Sequence, residues 1–210
     1  MIKKEVDIFY FFAKEPWRWF SFLELKKVSR KKSRSYLDRT LKNLLKEDII
    51  KLEKVGKSII YSLNLVSTKS VIFAGFILEY SGWKRKDIPY KNIQKIIDSI
   101  PYKDNILLIT GSYAGKKQTK TSDLDIVILI ENDLEPKKVY AQLKLICELN
   151  IPQIHLYVFR YKEFVEMICN NEANYGKEIL KNNLIIKGGQ SFVLLIKEAL
   201  EHGFNAKKLY

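Results

Sequence analysis

The sequence predicts an α/β (α+β) protein in which a small helix-rich unit closed by a β-hairpin precedes a mixed sheet with flanking and C-terminal helices. Three observations lead there: apolar residues at helical spacing through most of the first 47 positions, two β-rich stretches meeting at Gly56, and a strand, strand, helix, strand order between Asn105 and Phe159. Against a typical domain of about 150 residues, the 210 residues allow one large domain or two modest ones. An apolar share of 47% and a charged share of 29% suit a packed core and exclude wholesale disorder.

From Lys3 to Ala13 the residues Val6, Ile8, Phe9, Phe12 and Ala13 suit one helix, stopped by Pro16. Ser21 precedes a short helical stretch, Phe22 to Lys27. After the basic turn from Val28 to Lys32, Ser33 is a candidate N-cap. Its helix runs to about Glu47, with Leu37, Leu41, Leu44 and Leu45 on one face. The segments on either side of Val55, Gly56, Lys57 and Ser58 read as a hairpin with glycine at the turn. Three helices followed by a hairpin is a winged-helix order, expected over residues 1–66.

Thr68 to Tyr80 and Pro89 to Ser99 then read as helices, and Asn105 to Thr110 as a short buried strand. A loop over 111–122 leads into a strand, Asp123 to Ile130. A helix opening on Pro136 runs to about Leu149, and Gln153 to Phe159 is a third strand. These elements make an α/β core over residues 67–160. Helices around 162–169, 177–182 and 192–203 are expected to pack on it as a C-terminal unit, residues 161–210.

Lys and Arg number 37 against 24 Asp and Glu, a net charge of +13 that favours polyanionic partners. The excess is concentrated at the start: residues 1–66 carry 16 basic against 8 acidic side chains. The longest uncharged apolar run, Ser70 to Leu78, falls short of the roughly 20 residues a spanning helix needs, so no membrane association is expected. Lys14 interrupts the N-terminal apolar run and no small-residue cleavage site follows, unlike a signal peptide. Cys147 and Cys169 stand in apolar stretches without a CxxC or Cys/His cluster, which predicts neither disulfides nor zinc, and a cytoplasmic setting. The aromatic run from Phe9 to Phe22 is expected to be core, with any excess available to a homodimer interface.

The chemistry concentrates in Gly111-Ser112, ten further residues, then Asp123-Leu124-Asp125, set between an incoming and an outgoing strand. Residues i and i+2 of a strand share a face roughly 6.6 Å apart. Two carboxylates so placed can close on one hard cation, Mg2+ or Mn2+, whose shell substrate phosphates complete. Gly111 lets backbone approach a phosphate, and the Ser112 hydroxyl can donate to its oxygens. Lys116, Lys117 and Lys120 add a positive rim. GSYAGKK is no Walker A loop, because it has three residues between glycines and no Ser or Thr after its lysine.

This GS, spacer, DxD pattern with apolar strand flanks resembles the polymerase β-type nucleotidyltransferase superfamily, particularly its minimal members, over roughly residues 88–160. The resemblance implies that Gly111 and Ser112 hold a nucleoside triphosphate, with Lys116 of the positive rim a further nucleotide-binding candidate, and that Asp123 and Asp125 bind divalent metal. It also implies a third carboxylate on a later strand. The matching strand here offers Gln153, His155 and Tyr157 on one face and no acid. His155 is most simply a core or cleft histidine, but an imidazole can also act as a base near neutral pH.

The first 66 residues resemble winged helix-turn-helix regulators, with Ser33 to Glu47 in the recognition position. That implies duplex DNA binding by outward-facing Arg34, Ser35, Arg39 and Lys42, with Lys57 of the hairpin reaching phosphates. Two readings stand side by side. One is a magnesium-dependent enzyme moving a nucleoside monophosphate from a triphosphate to an acceptor hydroxyl. The other is a DNA-binding regulator or antitoxin whose transferase-like domain binds nucleotide or a partner without turnover. Minimal nucleotidyltransferases often accompany HEPN-type toxins, so the resemblance also implies a toxin-like protein partner.

Overall fold

The computed structural model describes residues 6–29 and 33–209. Residues 3–5 of the expected first helix and Arg30 to Lys32 of the basic turn lie outside them. Helix α1, Val6–Lys14, buries Ile8, Phe9, Phe12 and Ala13 at the spacing its sequence dictates. A two-residue strand β1, Phe20–Ser21, leads into α2, Phe22–Val28. Ser21 and Glu24 form a reciprocal capping box, the Glu24 amide donating to Ser21 Oγ (3.2 Å) and the Ser21 amide to Glu24 Oε2 (2.7 Å). Helix α3, Arg34–Lys46, is capped by Ser33 Oγ, which accepts from the Tyr36 amide, and buries Leu37, Leu41 and Leu44.

Strands β2, Ile50–Val55, and β3, Ser58–Leu63, pair antiparallel around the two-residue turn Gly56-Lys57. Strand β1 was not legible in the sequence. It exists because Phe20 and Ser21 lie opposite Tyr61 and Ile60, giving a three-stranded sheet of order β1-β3-β2.

Helix α4, Thr68–Trp83, runs one turn beyond the expected end and is followed by α5, Tyr90–Ser99. Strand β4, Asn105–Ile109, the short helix α6, Gly111–Ala114, and strand β5, Leu124–Ile130, come next. Helix α7, Pro136–Glu148, carries its proline at the first turn, where no amide is needed. Strand β6, Ile154–Arg160, leads to α8, Tyr161–Cys169, and α9, Tyr175–Lys181. Strand β7, Leu184–Lys187, and α10, Gly189–Glu201, complete the chain before a final 3-10 turn, Ala206–Leu209.

The four-stranded sheet has the order β6-β5-β4-β7. Strand β5 pairs parallel with β6 and antiparallel with β4. Strand β7, between two expected helices of the C-terminal unit, pairs antiparallel with β4, and the Trp83 indole donates to the Ile186 carbonyl (2.8 Å). The last third therefore contributes to the sheet itself. Both faces of β4 and β5 are buried beyond their first residues, so the runs ILLI (106–109) and IVILI (126–130) are continuously apolar rather than alternating. Ile106, Leu108, Val127 and Leu129 face a core shared with α4, α8, α10 and the N-terminal unit. Leu107, Ile109, Ile126 and Ile128 face α5 and α7.

Helices α4 and α10 meet at glycines. A Cβ on Gly75 would lie 2.3 Å from the Gln190 amide nitrogen, and one on Gly189 would lie 2.3 Å from the Gly75 carbonyl oxygen. Only glycine permits this approach. Phe9, Phe12 and Phe20 of the aromatic run are buried, Phe12 meeting Phe20 edge-on at 5.3 Å, as expected for core. Cys147 and Cys169 are both free. No helix among the described residues is long and apolar enough to cross a membrane.

Candidate active site

Strand β4 delivers the chain to Thr110, and Gly111 turns it into α6 at φ +64°. A Cβ at Gly111 would lie 2.1 Å from Asp125 Oδ2, so glycine is required both by the dihedral and by the carboxylate packed against it. The Thr110 amide donates to the Asp125 carbonyl (3.0 Å), fixing the turn against the start of β5. Asp123 stands one residue before β5 and Asp125 one residue inside it, both half-buried.

The parallel register pairs Asp125 with His155 on β6. His155 Nδ1 lies 3.6 Å from Asp125 Oδ1, and Nε2 lies 3.5 Å from Asp123 Oδ2. The imidazole thus stands between the two carboxylates where the resemblance asks for an acid. Burial pushes the Asp125 carboxyl upward and the Asp123 charge adds to this, while His155 opposes it. Gln153 and Tyr157 are exposed on the same face of β6 as His155.

Asp125, Gly111, Tyr157, Tyr175, Glu178 and Asn182 surround a cavity of about 200 Å³. The rings of Tyr157 and Tyr175 lie 4.7 Å apart and form one apolar wall, and burial, its largest cause, raises the Tyr175 hydroxyl far above its ordinary pKa. Glu178 of α9 adds a second carboxylate to the lining that Asp125 shares. Asn182 locks the turn: its Nδ2 donates to the Gly111 carbonyl (2.8 Å), and its own carbonyl accepts from Thr110 Oγ1 (2.8 Å).

Arg85 holds the other end of α6. Its Nη2 donates to the Tyr113 carbonyl (2.6 Å) and Nη1 to that of Ala114 (3.1 Å). Its remaining donors grip Asp87, which also accepts from Gln118 Nε2 (2.7 Å). The Arg85 hydrogen bond holds the Asp87 carboxyl well below the usual carboxylate range.

Ser112 is half-buried at the second position of α6. Lys116, at φ +57°, is exposed in a separate, larger groove and does not line the Asp125 cavity. Arg34, Ser35, Arg39 and Lys42 on α3 and Lys57 at the hairpin turn are all exposed, with Lys42 paired to Asp38 at 2.8 Å. These five lie on the N-terminal unit and take no part in the cavity.

Residues 90–185 match the family model of the nucleotidyltransferase domain. This segment is similar to nucleotidyltransferase domains. It runs from α5 to β7 and contains Gly111, Ser112, Asp123, Asp125 and His155. A solved structure described as "Crystal structure of the toxin-antitoxin with AMP-PNP" is similar over 55% of this chain and 86% of that chain, at 14% identity and a TM-score of 0.40. Comparison with curated proteins gives no match.

Nucleotidyltransferase chemistry uses divalent metal, and the donor set here fits one such ion. Asp123 and Asp125 are the residues that would supply hard oxygen ligands, and the glycine at 111 leaves Asp125 Oδ2 the space a Cβ would fill. Among the described residues no group of three His, Cys, Asp or Glu side chains is arranged to hold a metal, so substrate phosphates would have to complete the shell.

Proposed function

We propose that the chain is a metal-dependent nucleotidyltransferase that moves a nucleoside monophosphate from a triphosphate to an acceptor hydroxyl. The observation that carries the reading is the Asp125 carboxylate seated against Gly111, with Asp123 and His155 converging on it. Gly111 and Ser112 receive the triphosphate, the glycine by admitting it close to backbone and the serine by donating its hydroxyl. Tyr157 and Tyr175 offer an aromatic wall to the base. Asn182 and Arg85 keep the turn in one conformation while it binds.

In the transfer, the acceptor oxygen bonds to the α-phosphorus and the bond to the bridging oxygen breaks. Pyrophosphate leaves with the electron pair. Divalent metal held by Asp123 and Asp125 would neutralise the charge that develops on the phosphoryl oxygens. His155 takes the acceptor proton, and the imidazolium formed lies between two carboxylates.

The N-terminal unit is read as a winged helix that binds duplex DNA. Its support is the exposed basic face of α3, with Arg34, Ser35, Arg39 and Lys42 clear of the buried leucines, and Lys57 at the tip of the hairpin. The second reading, nucleotide binding without turnover, draws on His155 standing where an acid is expected.

Incubation with each α-labelled nucleoside triphosphate and magnesium, in the presence of protein, RNA or DNA acceptors, tests the choice. Transfer by wild type that disappears in Asp123→Asn and Asp125→Asn supports the enzyme. Magnesium-dependent binding with no transfer to any acceptor supports the second reading.

A further inference from the structure

On the other side of Asn182 lies a groove of about 930 Å³, bounded by α1, the turn after α4, the end of α6 and the junction of α9 with β7. Six basic side chains line it: Lys14, Lys84, Arg85, Lys86, Lys116 and Lys181, against the acids Asp7 and Asp87. Two of the six are already engaged. Arg85 is paired with Asp87, and Lys14 Nζ donates to the Asn183 carbonyl (2.6 Å) and Oδ1 (2.7 Å). Lys84, Lys86, Lys116 and Lys181 are exposed, and none of these four has an ion pair among the described residues.

Four cations without an ion pair, against Asp7 and the already paired Asp87, leave the concavity with a net positive potential. Aromatic rings stand among them. Exposed Tyr80 lies under Lys84, whose Nζ is 5.8 Å from the ring centroid, and it stacks on Phe76 at 5.9 Å. Tyr10 is half-buried in the same wall. A cationic groove with interleaved aromatic faces is what a single nucleic-acid strand requires, with phosphates tracking the lysines and unpaired bases stacking on the rings. A duplex keeps its base faces stacked inside and offers none to a tyrosine. A lipid surface does not enter a concavity.

We propose that this groove binds a single-stranded nucleic acid, independently of the α3 face. Asn182 lines both this groove and the Asp125 cavity, so a bound strand passes within one side chain of the nucleotide site. The binding itself does not depend on whether the domain turns over.

The test is fluorescence anisotropy of labelled twelve-nucleotide single strands, one RNA and one DNA of the same sequence, with the full chain and no nucleotide or magnesium. The two arms tell which sugar the groove prefers. Wild type should bind, with log K falling by roughly 0.7 per phosphate contact against log salt. Lys84→Glu with Lys86→Glu, and Lys116→Glu with Lys181→Glu, should each weaken binding at least tenfold and flatten the salt slope. Tyr80→Leu should weaken it roughly tenfold, within the range of one lost stack. Lys91→Glu with Lys95→Glu makes the same charge change on α5, outside the groove, and should preserve binding. Unlabelled duplex should not displace the strand. Absence of wild-type binding at low salt, equal loss in the α5 control, or full retention in groove variants that melt at the wild-type temperature would overturn the proposal.

Discussion

At Gly111 two independent constraints meet: a left-handed backbone and a carboxylate oxygen 2.1 Å from where a Cβ would stand. Gly111→Ala should cost about 1–2 kcal/mol from the dihedral alone, a fall of about 2–8 °C in Tm. It should also displace Asp125, so calorimetry should show nucleotide affinity reduced more than tenfold. Asp125 behaves differently. Burial and Asp123 raise its carboxyl, so its charged form is disfavoured in the fold at neutral pH, and neutralising it relieves that cost. Asp125→Asn should therefore leave Tm equal or higher while abolishing magnesium-dependent nucleotide binding. At His155 the expected effects separate two roles. His155→Gln should abolish transfer if the imidazole takes the proton, and His155→Asp should raise it if the site lacks only a metal ligand. Transfer unaffected by either change leaves Glu178 as the remaining carboxylate on the cavity wall to test.

Helix α6 is only four residues long, and its position depends on what grips its ends. Arg85 and Asp87 form that grip together with Gln118. The Asp87 carboxyl is held below its ordinary value, so the stability it contributes is present above the unfolded aspartate pKa and is lost as pH falls below it. Asp87→Asn should therefore lower Tm at pH 7, and the gap from wild type should close as pH is taken below about 4. Melting curves across that range check the sign. These contacts mark the limit of what the sequence shows. The GS turn and DxD are local patterns and were legible, whereas the strand of His155 was matched only through the resemblance, and its contact with both aspartates comes from the parallel pairing of β5 and β6. Arg85 reaches Tyr113 across 28 residues, and Asn182 reaches Gly111 across 71, with no local signal for either. Strand β7 escaped for the same reason. Four residues between two helices become a strand only because β4 has a free edge and Trp83 a donor to give.

Across the whole molecule, Lys14 ties α1 to Asn183 at the junction of α9 and β7. Burial lowers its pKa to about 8, so between there and the unfolded value of about 10.4 the unfolded chain holds a proton that the folded chain lacks. Stability gains from this group as pH rises through that window. Denaturant titrations at pH 7 and 9.5 should show wild type improving relative to Lys14→Met. The basic balance of the chain likewise finds two separate places, the α3 face and the groove beside Asn182, which the total of +13 could not distinguish. Apart from both lies the nucleotide site that Gly111, Asp123 and Asp125 are proposed to form. The most direct measurement is magnesium-dependent binding of a non-hydrolysable nucleoside triphosphate to wild type and to the Asp123→Asn, Asp125→Asn double variant. Saturable binding by wild type, lost in a double variant that melts no lower, is the predicted result. Equal binding by both proteins, or binding that never needs a divalent ion, would contradict it.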